Sequence, residues 1–65
     1  MPYVNIKITP TPDGVTAEQK SAVIEGVAKV LKDVLGKPEE YTTVVIDEIA
    51  LENWGSAGKQ VTRAV

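Results

Sequence analysis

Two short segments of period-two hydrophobicity flank one long amphipathic segment, and that order predicts an α+β protein. The expected unit is a β-α-β protomer with two parallel strands, one helix and a short C-terminal hairpin. Tyr3 to Thr9 carries the first signal. Val4, Ile6 and Ile8 point one way, and Tyr3, Asn5, Lys7 and Thr9 point the other, which is the alternation of a strand with one apolar face. Pro10-Thr-Pro12-Asp13-Gly14 stops it, because proline donates nothing to a ladder and Asp-Gly favours a turn.

The helix is expected from Ala17 to Leu35. Thr16 and Gln19 have the spacing of a capping box, in which the hydroxyl accepts from an orphan amide and the glutamine reaches back. Val23, Ile24, Val27, Leu31, Val34 and Leu35 then recur at helical spacing as one apolar stripe. Gly36 tolerates a left-handed conformation and Pro38 refuses to continue, so the helix ends there.

Tyr41 to Ile49 reads as the second strand, with Val44, Val45 and Ile46 as a dense β-branched centre. Strand, helix, strand implies a right-handed crossover and parallel pairing. Two glycines three apart, Gly55 and Gly58, mark a short hairpin or tight loop, with a short strand at Gln60 to Thr62.

These elements fill 65 residues as a single domain, 1–65, with no linker or repeat. A chain of this size hides only about 60% of its unfolded surface. With no Cys and no His, disulfides and thiolate or imidazole metal sites are excluded. The helix covers one face of the sheet, while parallel strands are normally covered on both. The open face and edges therefore call for a second copy, and a homo-oligomer is the strongest expectation from pattern alone. Asn5 and Lys7 sit on the face that a partner would meet, and are read as structural.

Seven basic and nine acidic residues are interleaved from end to end, giving a formal charge of -2. Nucleic-acid binding needs a concentrated basic face, so no nucleic-acid partner is expected. No apolar run approaches the 18 or so residues of a spanning helix, and no basic-then-apolar leader opens the chain. The expected setting is cytoplasmic, with no membrane partner.

The usual catalytic side chains are missing. There is no His, no Cys, no serine in a nucleophile elbow and no Gly-rich phosphate loop. The acid pairs Asp47-Glu48 and Glu39-Glu40 read as solvated charges, since neighbouring strand residues face opposite ways. One group remains. The chain opens Met1-Pro2, and initiator methionine is usually removed before a small residue such as proline. Removal leaves Pro2 with a secondary amine, a group that serves as general base or nucleophile.

Pro2 leads directly into the first strand, Pro2 to Thr9. Gly14-Val-Thr-Ala-Glu-Gln-Lys20 opens the helix and Leu35-Gly-Lys-Pro38 closes it. Val44-Val-Ile-Asp-Glu48 forms the second strand, and Glu52-Asn-Trp-Gly55 with Gly58 follows. In this order and spacing the whole chain resembles the 4-oxalocrotonate tautomerase family of the tautomerase superfamily. The resemblance implies the tautomerase fold, with protomers paired into dimers by a four-stranded sheet and commonly assembled as hexamers, trimers of dimers. It also implies a cofactor-independent keto-enol tautomerase acting on a small enol or 2-keto acid. Pro2 would be the general base, and Trp54 would stand at an aromatic wall of the pocket. Val15 and Thr43 occupy positions where the family's best-known member has arginines, one for a substrate carboxylate and one for the carbonyl oxygen. Both cations are gone. Val15 contributes desolvation and Thr43 one neutral hydrogen bond. The loop Pro10 to Gly14 is also slightly longer than in the shortest relatives.

A primary α-amine titrates at roughly 7.7–8.0, and a secondary amine is more basic. For Pro2 to act as a free base near neutrality, its ammonium form must be destabilised by burial or by nearby cations. Burial against Val15 and Trp54 is expected to do most of this, helped by Lys7, Lys37, Lys59 or Arg63 of a neighbouring chain. Two other readings fit the same pattern. One is hydration or dehalogenation of an unsaturated acid in the same pocket. The other is an assembly protein that keeps the fold without the chemistry, a reading favoured by the loss of both arginines.

Overall fold

The computed structural model describes residues 1–62. Arg63, one of the cations considered for the Pro2 site, lies outside the described residues. The first strand, β1, is Tyr3–Ile8, and the helix, α1, is Ala17–Leu35. After a 3-10 turn at Glu39–Tyr41 comes β2, Thr43–Glu48. A second 3-10 turn, Leu51–Asn53, leads into β3, Gly55–Ser56, and β4, Lys59–Gln60.

β1 and β2 pair in parallel, with Tyr3 opposite Thr43 and Ile8 opposite Glu48. The ladder runs one bond further at each end, from Thr43 N to Pro2 O at 3.0 Å and from Ile49 N to Ile8 O at 2.8 Å. The expected β-α-β unit is therefore present. β2 is shorter than the Tyr41 to Ile49 read from the sequence, because Pro38 starts a 3-10 turn that absorbs Tyr41 (Tyr41 N to Pro38 O, 3.2 Å).

The helix bounds match the capping logic. Thr16 Oγ1 accepts from Gln19 N at 3.0 Å, and Gln19 Oε1 accepts from Thr16 N at 2.9 Å. Gly36, at φ 69°, closes the last turn by donating to Lys32 O at 3.0 Å. Lys20 forms an ion pair with Glu48, tying the first turns of the helix to the end of β2.

The C-terminal hairpin is present but shifted. β3 and β4 pair antiparallel, with Ser56 opposite Lys59, around a two-residue loop of Ala57 (φ 53°) and Gly58 (φ 79°). Both loop residues having positive φ matches the twist of a tight hairpin. That loop fixes the second strand at Lys59–Gln60 rather than Gln60 to Thr62.

Among the described residues no side chain is fully buried. The chain exposes 5127 Å², whereas a compact monomer of this mass exposes about 4,000 Å². Its radius of gyration is 14.4 Å, against about 11 Å for a closed domain of this length. On α1, Val27, Ala28 and Leu31 are half-covered, whereas Val30 and Val34 remain 57% and 74% exposed. The apolar stripe is wider than a two-stranded sheet can cover. No helix among the described residues is long and apolar enough to cross a membrane.

Candidate active site

The parallel register separates the two halves of the expected site. At the starting end of the sheet, half-buried Pro2 is held by its carbonyl to the Thr43 amide. Thr43 is the first, exposed residue of β2. Pro2 and Thr43 are thus neighbours through the ladder.

At the other end of the sheet lies a pocket of about 440 Å³ lined by Lys7, Ile8, Thr9, Thr11, Val15 and Trp54. Val15 reaches it because a turn closes the preceding loop (Gly14 N to Thr11 O, 3.0 Å), with Gly14 at φ 75°. The helix cap at Thr16 fixes the residue that follows. Trp54 is clamped from both sides of the chain. Its amide donates to Leu51 O at 3.0 Å, and its carbonyl accepts from Val61 N at 2.8 Å. Gln60 Nε2 also donates to Glu52 O at 2.9 Å, binding the hairpin to the turn that precedes Trp54.

Val15 and Trp54, assigned to one pocket from the sequence, do line one pocket. Pro2 and Thr43 do not join them within the chain. Six residue steps of extended strand lead from Pro2 to Ile8, a span of about 20 Å.

The pocket also holds Ile8, Thr9 and Thr11, to which the sequence reading gives no site role, and Lys7, which it names as structural and as one of four cations that could act on Pro2 from a neighbouring chain. Among the described residues Lys7 is its one ionisable lining residue. Asp47, directly across the ladder, orients it: Lys7 Nζ lies 3.3 Å from Asp47 Oδ2. The same oxygen accepts from Asn5 Nδ2 at 2.8 Å. The Asn5 hydrogen bond, then the Lys7 hydrogen bond and charge, hold the Asp47 carboxyl below its ordinary value of 3.8. Asp47 and Glu48 face opposite sides of the sheet, the first bonding to β1 and the second to α1, so they are not a cooperating acid pair.

A β-α-β protomer with an open second face and a mostly apolar pocket beside its strand ends has the architecture expected of a 4-oxalocrotonate tautomerase-like protein. Comparison with known proteins gives the family. A family model described as "Tautomerase enzyme" matches residues 2–64. The chain is 55% identical to a probable tautomerase of Dickeya dadantii over 62 residues, 95% of this chain and 90% of that one. It is 41% identical to a 2-hydroxymuconate tautomerase of Pseudomonas putida over 58 residues, 89% of this chain and 87% of that one. It superposes on the crystal structure of DmpI from Helicobacter pylori with a TM-score of 0.83 and 41% identity, covering 91% of this chain and 88% of that one. The chain belongs to the tautomerase family. It is an isomerase, a tautomerase, and its fold is that of the 4-oxalocrotonate tautomerases.

Proposed function

We propose that the reaction is carried by the amine of Pro2, freed by removal of Met1, in a site completed between two copies of the chain. The observation that supports this is the separation of Pro2 from the Val15–Trp54 pocket by the length of β1. A dimer with one self-complementary interface has a two-fold axis. Where that axis stands perpendicular to the sheet, the same strand edge of the two copies pairs antiparallel. The start of one β1 then lies beside the end of the other. Pro2 of one copy meets the pocket of its partner, and the reverse holds at the second site. The exposed apolar surface of α1, Val30 and Val34 above all, supports further assembly of such dimers into a hexamer.

In this arrangement Pro2 Nα takes a proton from the enol hydroxyl or from a carbon next to a carbonyl, and returns it elsewhere on the dienol framework. Ile8, Val15 and Trp54 exclude water, which disfavours the ammonium form of the amine and keeps it basic near neutral pH. Thr43, bonded to Pro2 through the backbone, brings one neutral hydroxyl near the oxygen on which charge develops. Met1 is 96% exposed, so a methionine aminopeptidase has free access to it.

The substrate class is a small enol or 2-keto acid, a reading supported by likeness to a 2-hydroxymuconate tautomerase. Ketonisation of an aryl enol-pyruvate, followed by ultraviolet absorbance, tests the proposal together with the intact mass. The expected result is a mass lacking Met1 and an activity that Pro2→Ala abolishes. Equal rates for the two proteins, or a retained Met1 in active protein, would overturn it.

A further inference from the structure

We infer that Lys7 is the residue that binds the carboxylate of the ligand, its ammonium being presented to the pocket by Asp47. This inference deepens the tautomerase reading and rests on it for the choice of ligand. Three observations carry it. First, among the described residues five of the six that line the pocket are uncharged, and Lys7 is the cation among them that an anionic group would meet. Second, Lys7 is oriented: its Nζ lies 3.3 Å from Asp47 Oδ2, across a register pair of the ladder. An ammonium has three donors, and this contact uses one, which leaves two for a ligand. Third, Asp47 is shared. Asn5 Nδ2 donates to the same oxygen at 2.8 Å and more closely than Lys7 does. Asp47 therefore keeps a partner when Lys7 turns toward a ligand, so breaking or stretching the Lys7 contact leaves no orphan carboxylate.

The surrounding chemistry fits a 2-oxo acid. Thr9 and Thr11 add hydroxyl donors beside the cation, while Ile8, Val15 and Trp54 suit the carbon chain. Val15, at the family's arginine position, contributes no charge, so the cation enters from a different element, one strand residue deep in the sheet. With Lys7 as its cation, the pocket should discriminate an acid from its own ester.

Trp54 is the only tryptophan and lines the same pocket, so its fluorescence reports binding without any need for turnover. The protein is titrated with 2-oxohexanoate and with methyl 2-oxohexanoate, in native form and in the Pro2→Ala background. Loss of a charge-assisted hydrogen bond weakens binding by about 10- to 100-fold. Lys7→Met is expected to weaken the acid by that factor and leave the ester within about twofold of native. Lys7→Arg is expected to keep acid binding. Equal affinity for acid and ester in the native protein, or no acid binding at all, would overturn the inference. So would a Lys7→Met protein that loses both ligands together, because that is collapse of the pocket rather than loss of a cation. The Pro2→Ala titration separates the two readings. If acid binding depends on Lys7 while Pro2→Ala turns over as fast as native, the proline mechanism fails and the Lys7 assignment stands.

Discussion

Pro2 and Trp54 stand at opposite ends of one parallel sheet. The Pro2 carbonyl accepts from Thr43 N where the strands begin, and Trp54 lines the pocket beside the end of β1. If two copies build each site, a Pro2→Ala chain and a Trp54→Ala chain should complement one another. In the hybrid dimer one site collects both defects and the other collects none. Random reassortment of equal amounts should therefore restore about a quarter of native activity from two nearly inactive proteins. Mixing after denaturation and refolding, with the assay run against each variant alone, checks it. Activity that never rises above the mean of the two variants means that each site lies within one chain.

Asp47 makes a pH prediction whose sign follows from its environment. Its carboxyl is held below 3.8, first by the Asn5 hydrogen bond and then by Lys7. A group with a depressed folded pKa binds fewer protons in the native state than in the unfolded one near that pH. The stability it contributes is present above the ordinary carboxylate value and is lost as pH falls through the lower folded value. Urea midpoints for native protein and Asp47→Asn should thus differ most near neutral pH and converge below about pH 3.8. A gap that stays constant down to strongly acidic pH would mean that the carboxylate charge plays no part.

The elements most legible in sequence were those with chemical punctuation at both ends. Thr16 with Gln19, and Gly36 with Pro38, delimit α1 to the residue, because caps are local and each is a specific hydrogen bond. The two 3-10 turns left no such trace. Three residues make no period, and Tyr41-Thr42 has the β-rich composition of the strand that follows. The second hairpin strand was displaced because register there is set by Ala57 and Gly58 at positive φ, a backbone property and not a hydrophobic pattern. Of the site, the resemblance places Val15 and Trp54 together. For Lys7 the sequence gives a structural role and a place among the cations a neighbouring chain could bring to Pro2, since alternation tells which face it occupies but not that the 10–15 loop and Trp54 fold back to meet it. A lysine and an aspartate on the same face of paired strands, Lys7 and Asp47, was the available signal, and only the register reveals it.

Ala57 offers a gain in stability. It holds φ 53° in the two-residue loop, a region that costs an L-residue with a Cβ about 1–2 kcal/mol. Glycine removes that cost but adds freedom to the unfolded chain, worth about 0.4–1 kcal/mol. Ala57→Gly should therefore stabilise by about 0.5–1 kcal/mol, the difference of the two effects. Because Val61 N, just past β4, donates to Trp54 O and Gln60 Nε2 donates to Glu52 O, the same variant should leave Trp54 emission unchanged in the folded protein. Chemical denaturation monitored by that emission reads both quantities, and a lower midpoint would show that the side chain, not the backbone, decides the turn.

The absence of any fully buried side chain among the described residues leads to the last prediction. Folding of one chain loses conformational entropy residue by residue, and burial of apolar surface must offset it. A protomer exposing roughly 1,000 Å² more than a compact monomer of its mass, somewhat over half of it apolar, forgoes about 14 kcal/mol of burial at ~25 cal/mol per Å² of apolar surface. That shortfall is as large as the whole 5–15 kcal/mol or so by which a domain is typically stable. The protomer therefore has little margin to stand alone. Folding and association should accordingly be one transition, and the unfolding midpoint should depend on protein concentration. Each tenfold dilution removes about 1.4 kcal/mol per subunit released, so Tm should fall steadily as the protein is diluted. Scanning calorimetry or Trp54 emission across a hundredfold concentration range measures this. A midpoint independent of concentration, with sedimentation showing monomers, would mean that the open face of the sheet and the exposed stripe of α1 are tolerated without a partner, and the shared site would go with them.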